Sequence, residues 1–248
     1  MIQRVGEAIV LRTWPFHEAD LLVSLFTREQ GRVKGVARHA LRSRRRFGGA
    51  LEPMTHVRAS YAEKPKQELV RLDAFEILSS PLSRPVDYAR TAALELVAEV
   101  LDELPEGVVD DAVFRLALAV IEEMQVGRVW LPVTYFCLWM SRLMGWMPEM
   151  GHCVVCGLDL RGGTVWYSST SDGVTCEDDR RGGSVTLSAN AVKDALRMFR
   201  GPVKELVAEW ADDAPVRGVE LRRFAIELLE RGLERRLASA RALGRIQD

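Results

Sequence analysis

The chain has 248 residues, 48% of them hydrophobic and 28% charged, with a net charge of −1. That is length enough for one large domain or two to three small ones, each with a core, and no apolar run of about 18 residues offers a membrane span. Four cysteines do not make a disulfide framework in a chain of this size. With no export-type apolar core behind MIQRVGEAIVLRTW, the expected setting is the reducing cytosol.

Residues 1–80 read as all-β. EAIVLRTW, DLLVSLFT, GRVKGVARH, MTHVRASYAE and ELVRLDAFEIL are short runs rich in Val, Leu and aromatics, and several alternate apolar with polar residues as half-buried strands do. Glu29, Gln30 and Gly31 supply the turn between the second and third runs. Five short strands in so short a span suit a small antiparallel barrel, of which the OB-fold is the five-stranded version. LSSPLSRP, residues 78–85, has the Pro and Ser of a linker.

Helical spacing begins at about residue 86. YARTAALELVAEVLDELP and DDAVFRLALAVIEEMQVG are predicted helices, the second capped by Asp110 or Asp111. WLPVTYFCLWMSRLMGWM is apolar on nearly every side, which predicts a helix buried in a bundle, with Cys137 in its core. Residues 151–183 are Gly-rich and poorly periodic. Helices resume with SANAVKDALRMFR, where Ser188 is a cap, and PVRGVELRRFAIELLERGLERRLAS closes the chain. The predicted class is therefore α+β: an OB-fold barrel over 1–80, a helical domain over 81–150 and 184–248, and a zinc-ribbon-like or zinc-finger-like element, intact or degenerate, inserted at 151–183.

Charge is unevenly placed. Residues 1–80 hold 14 Lys/Arg and 9 Asp/Glu, whereas the remainder is acidic on balance. Within 28–46 lie Arg28, Arg32, Lys34, Arg38, Arg42, Arg44, Arg45 and Arg46 against Glu29 alone. Arginine grips phosphate through two parallel hydrogen bonds, and aromatic rings near such a groove stack on bases. Arg32, Lys34, Arg38, Arg42, Arg44, Arg45 and Arg46 are thus the candidate phosphate-binding residues for a single-stranded nucleic acid, and Trp14 and Phe16 read first as core or loop packing and second as stacking rings. The bland alternative is a solvated loop. Arg128, Arg142, Lys193 and Arg197 on the helices read first as solvated faces.

Cys153 and Cys156 form C-x2-C ahead of Gly157, and Cys176 follows after a 19-residue gap. Two such knuckles ordinarily give four thiolates to one tetrahedral zinc. A second knuckle would place cysteine at 179, where this chain has Asp179. The candidate metal set is Cys153, Cys156, Cys176 and Asp179 around one structural Zn2+, with His152 the other candidate for the fourth ligand. The alternative is a vestigial site in which packing has replaced the metal. No phosphate-binding loop, GxSxG or HExxH motif occurs. The paired carboxylates Asp110/Asp111, Asp178/Asp179 and Asp212/Asp213 read as caps and solvated turns, and the expectation is a protein that is not an enzyme. A metal-dependent nuclease using Asp178 and Asp179 is a weak third reading.

The opening EAIVLRTWPFHEADLLVSLFTREQGRVKGVARHALRSRRRFGGALEP resembles the N-terminal domain of the RecO family of bacterial recombination mediators. Glu18 and Asp20 precede a strand ending in LFT. A KGVAR phrase, a basic loop and LEP at Leu51–Pro53 follow, then a long helical part and a late C-x2-CG element. The resemblance implies binding of single- and double-stranded DNA and annealing of complementary strands, without nucleotide hydrolysis. It also implies action with RecR to replace single-strand-binding protein by RecA, capture of that protein's acidic, apolar C-terminal tail, and a cytoplasmic, nucleoid-associated setting. Many members carry four cysteines at the zinc element, so Asp179 is a departure. The rival from another class is an interaction scaffold whose basic loop docks an acidic partner without binding DNA.

Overall fold

The structure, a computed structural model, describes residues 1–105, 107, 109–125, 129–210 and 218–244. Arg128 and the Asp212/Asp213 pair lie outside the described residues. By internal contacts the chain divides into two compact units, residues 1–125 and 126–248.

The first unit opens with five strands: β1 (Ile2–Pro15), β2 (Leu21–Thr27), β3 (Gly31–Ala37), β4 (His56–Glu63) and β5 (Val70–Ser79). They close into a barrel in the order β1-β2-β3-β5-β4. The long β1 makes closure possible, because Ile2–Ile9 pair with β4 while Ala8–Pro15 pair with β2. A register shift between Val10 and Arg12 bends it between the two partners, as bulges do in barrels. The last joint is the short parallel pairing of β3 with β5, Gly35–Ala37 against Val70–Leu72. There the two backbones come so near that a Cβ on Gly35 would meet Val70 Cγ2 at 2.6 Å and the Val70 carbonyl oxygen at 2.8 Å. Only glycine fits that joint.

Alternation fills the barrel. Val23, Leu25, Ala37, Val57, Ala59, Tyr61 and Leu72 point inward with Ala8 and Val10. The outer face of β2 is buried as well. Ser24 donates to Asp102 Oδ1 at 2.6 Å, and Phe26 stacks on Phe114 at 6.3 Å. Asp102 ends α1 (Tyr88–Asp102) and Phe114 lies in α2 (Asp111–Glu123), so these helices cover that side of the barrel. Asp110 accepts from the Ala112 N–H and is the cap. The 78–85 connection contains a single 3-10 turn, Pro81–Ser83.

The second unit is built on α3 (Trp130–Leu143), buried along most of its length as its all-round apolarity predicts. Cys137 is fully buried there, and burial pushes its thiol up to about 12. The sequence reading names no strand within the Gly-rich 151–183 segment or just after it, where β6 (Val165–Tyr167), β7 (Val174–Thr175) and β8 (Val185–Leu187) form a sheet in the order β7-β6-β8. Strands of two or three residues are too short to show a period. Ser188 caps α4 (Ala189–Met198), and α5 (Val203–Glu209) follows. The closing segment carries α6 (Val219–Gly232), and α7 (Ala238–Leu243) follows it. The sheet packs on α6, with Tyr167 edge-on to Phe224 at 5.0 Å. Among the described residues no helix is long and apolar enough to cross a membrane.

Candidate functional site

The arginine run leaves β3 at Ala37 and is held at both ends. At its start the His39 N–H donates to Asp20 Oδ1 at 2.7 Å and the Leu41 N–H to the Ala19 carbonyl at 3.2 Å. At its end Phe47 is buried in the barrel core, edge-on to Phe75 at 5.5 Å. The Phe75 N–H donates to the Arg46 carbonyl at 2.8 Å. Between those anchors Arg38, Arg42, Arg44 and Arg45 are exposed.

The cations of the barrel fall into two sets. Arg4 pairs with Glu63, Arg28 with Asp111, Arg58 with Glu76, and Arg71 with Asp73, all at 2.6–2.9 Å, and Arg12 lies 3.7 Å from Asp102. Arg32 donates to the Asp102 carbonyl, closing the C-terminal end of α1. The other set is Lys34, Arg38, Arg42, Arg44, Arg45, Lys64 and Lys66. Among the described residues no side-chain hydrogen bond or ion pair engages any of these seven. Surface pairs add little stability but do cancel charge locally, so the uncompensated field belongs to β3, the loop after it and the β4–β5 loop. Arg46 stands apart, with its guanidinium bound inside the loop to Ser43 and the Arg38 carbonyl.

A groove of about 590 Å3 runs beside this set. Phe16 from the β1–β2 loop, Val36 and Arg38 from β3 and beyond, and Lys64 and Lys66 from the β4–β5 loop line it, together with the acid Glu68 and the paired Arg71, whereas Lys34, Arg42, Arg44 and Arg45 lie outside its lining. Phe16 is 42% exposed and lies 4.3 Å from the His17 ring, centroid to centroid, whereas Trp14 is half-buried.

In the second unit Cys153, Cys156, Cys176 and Asp179 bring their ligand atoms within 4.8 Å of one another. The first two sit on a tight knuckle. The Gly157 N–H donates to the Cys153 carbonyl at 2.9 Å, and Gly157 takes φ 76°, where a side chain would be strained. Cys176 directly follows β7, and the Val154 N–H donates to the Val174 carbonyl at 2.9 Å, which ties knuckle to strand. The Cys153 and Cys176 thiols each donate to Asp179 Oδ2 at 3.2 Å. Cys156 and Cys176 sulfurs are 3.8 Å apart. Thiolates bound at about 2.3 Å to a tetrahedral zinc stand about 3.8 Å apart, so the spacing fits that ion. His152 is exposed, lies 3.6 Å from Glu149 and is outside the cluster.

The local electrostatics follow from Asp179. Its hydrogen bonds push the Cys156 thiol up to about 12 and raise Cys176. Those same bonds, from Cys156 first, hold the Asp179 carboxyl below its usual range. At Cys153 burial raises the thiol, but backbone donors at Cys156, Cys176 and Val155 outweigh it and the net direction is down. The protons shared among these four groups are the ones a divalent cation displaces.

The family profile described as "Recombination protein O N terminal" matches residues 1–81, and "Recombination protein O C terminal" matches residues 85–241. The chain belongs to the RecO family. It is 49% identical over 243 residues to the DNA repair protein RecO of Koribacter versatilis, covering 97% of this chain and 98% of the relative. It is 32% identical over 242 residues to that of Anaeromyxobacter sp. (strain K), covering 96% and 94%. With the DNA repair protein RecO of Bifidobacterium longum subsp. infantis the identity is 29% over 237 residues.

Within this RecO-family frame, Lys64 and Lys66 are the residues that sequence reasoning passed over. Their signal was present as Lys-Pro-Lys between two strand-like runs, but it lies far in sequence from the arginine run, and only barrel closure brings it to the same groove. Of the helical cations, Lys193 is exposed, Arg197 pairs with Glu209, and Arg142 lies over both Trp139 (5.3 Å) and Phe199 (4.8 Å). Arg142 also lines a cavity of about 310 Å3 with Met147, Val192, Leu196 and Phe199.

Proposed function

We propose that this RecO-family chain is a DNA repair and recombination mediator that binds single- and double-stranded DNA through its barrel and anneals complementary strands. The observation that carries the reading is the partition of charge: five arginines of the barrel are paired with carboxylates, while Lys34, four loop arginines and two loop lysines are left uncompensated, and Arg38, Lys64 and Lys66 of that set line one groove. A five-stranded OB barrel binds oligonucleotides on its second and third strands and between its first and fourth connecting loops. Phe16 lies in the first of those loops and Lys64 and Lys66 in the fourth, while Arg38 follows the third strand beside them. Phosphate contacts carry no base information, so the site is indifferent to sequence. Neutralising two backbones on one basic surface lowers their repulsion and lets complementary bases meet, with counterion release supplying most of the affinity.

In the same reading, the 151–183 segment is a zinc-ribbon-like element inserted in the helical part. Cys153, Cys156, Cys176 and Asp179 would hold one structural Zn2+, which supplies cross-linking of knuckle to strand and no reaction chemistry. The cavity lined by Arg142 suits the acidic, apolar tail of single-strand-binding protein, because one cation stands among Met147, Met150, Val192, Leu196 and Phe199. Together with RecR the chain would help RecA replace that protein on DNA, in the cytoplasm at the nucleoid and without catalysis. The test is annealing of complementary oligonucleotides by the purified protein. The reading expects acceleration that is lost when Arg38, Arg42, Arg44 and Arg45 become Ala together, and unchanged annealing in that variant would refute it.

A further inference from the structure

We propose that Arg46, although it belongs to the basic run, is a positioning residue that shapes the DNA-binding loop and does not itself grip phosphate. The inference rests on the reading of this loop as the DNA interface. Two donors and one face of the half-buried Arg46 guanidinium are engaged inside the protein. Nε donates to Ser43 Oγ at 3.0 Å and Nη2 to the Arg38 carbonyl at 2.6 Å. The guanidinium lies 5.1 Å above the ring of Phe47, which is itself 2% exposed in the barrel core. Arg38, Arg42, Arg44 and Arg45 show the opposite pattern, exposed and unengaged.

The backbone explains why the loop needs such a brace. Between Ala37 and Phe47 the hydrogen bonds within the loop are three short turns: Arg42 N–H to the His39 carbonyl, Ser43 N–H to Ala40, and Phe47 N–H to Ser43. None of them joins the outgoing limb at Arg38 to the returning limb at Arg46. The Arg46 fork does so, spanning eight residues and clasping the turn at Ser43 on the way. A planar guanidinium can satisfy two acceptors and a ring face at once, whereas an ammonium makes a point contact. Removing the clasp would let the loop spread, and each of the four free arginines would then have to be ordered at the moment of binding.

Charge and shape are separable by experiment. Oligonucleotide affinity is measured for the wild type, Arg46→Lys, Arg46→Ala and Ser43→Ala, with the melting temperature of each as a control for folding. Positioning predicts that Arg46→Lys, which keeps the charge, weakens binding by about tenfold, much as Arg46→Ala does. It also predicts that Ser43→Ala, which removes an acceptor and no charge, weakens binding several-fold. Trypsin cleavage within 38–45 of the free protein should quicken in all three. If Arg46→Lys and Ser43→Ala bind like the wild type, the inference is overturned, whether or not Arg46→Ala is weak. Should Arg46→Lys fail to fold, Ser43→Ala decides alone. A wild type that binds no DNA would instead refute the underlying reading.

Discussion

The Asp20 carboxylate accepts the backbone N–H of His39 at 2.7 Å, joining the turn before β2 to the first residue of the basic loop that turns away from β3. His39 holds a left-handed backbone, φ 53°, one of four such positions that a non-glycine occupies among the described residues. The bond therefore sets the direction in which the arginines leave the barrel. Asp20→Ala should cost about 1 kcal/mol in urea unfolding, because an exposed charged acceptor is lost. It should weaken DNA binding several-fold although a negative charge has been removed. Stronger binding in the variant would mean that charge, not loop geometry, governs the site.

Barrel closure depends on Gly35. Any side chain there meets Val70 and Leu72 inside van der Waals distance, at a joint only three residue pairs long. Gly35→Val should reduce stability by about 3 kcal/mol or more, an overpacking cost at the upper end of its range. Lys64 and Lys66 would lose their place beside Arg38 with it. Urea titration followed by intrinsic fluorescence measures the first effect.

Glu227 gives the second unit a pH dependence. Burial raises its carboxyl above the usual range, against the pull of Arg236 and Arg223 and with the push of Glu230, and its Oε2 has no hydrogen-bond partner. The folded state thus holds this proton at a pH where the unfolded chain has released it. Stability then falls as pH rises from the unfolded value through the higher folded one. Glu227→Gln should remove that slope and raise the melting temperature at pH 7. An unchanged melting profile from pH 4 to 7 would count against the burial of this group.

At the thiolate cluster, elemental analysis of the purified protein should find one zinc per chain. Because the ligands must lose protons to bind it, affinity should fall as pH is lowered. Asp179→Cys supplies the fourth thiolate and should slow metal transfer to a chromophoric chelator, whereas Cys156→Ser should speed it. Equal transfer from all three proteins would separate Asp179 from the metal.

The sequence showed the barrel strands because their residues alternate and because Gly, Pro and Asn-poor runs break where turns fall. It showed α3 because an all-apolar helix has one place to go. The small sheet at β6–β8 was hidden, since two or three residues carry no period and its order is fixed by the knuckle and by α6. In the candidate site, composition located the arginines but could not divide them. That Arg12 and Arg32 turn toward Asp102, and Arg46 back into its own loop, follows from contacts 70 or more residues apart or from a fold of the loop itself. Cys153, Cys156 and Cys176 were legible from spacing, and geometry alone chose Asp179 over His152.

The central claim is that the uncompensated cations of β3, the loop after it and the β4–β5 loop bind DNA backbone. Fluorescence anisotropy of a labelled single strand across a salt series tests it most directly. The account predicts that affinity falls steeply with salt, and that changing Arg38, Arg42, Arg44 and Arg45 to Ala flattens the log–log slope by about 3, near 0.7 per lost phosphate contact on a single strand. A slope that is flat in the wild type, or equally steep in the variant, would contradict it.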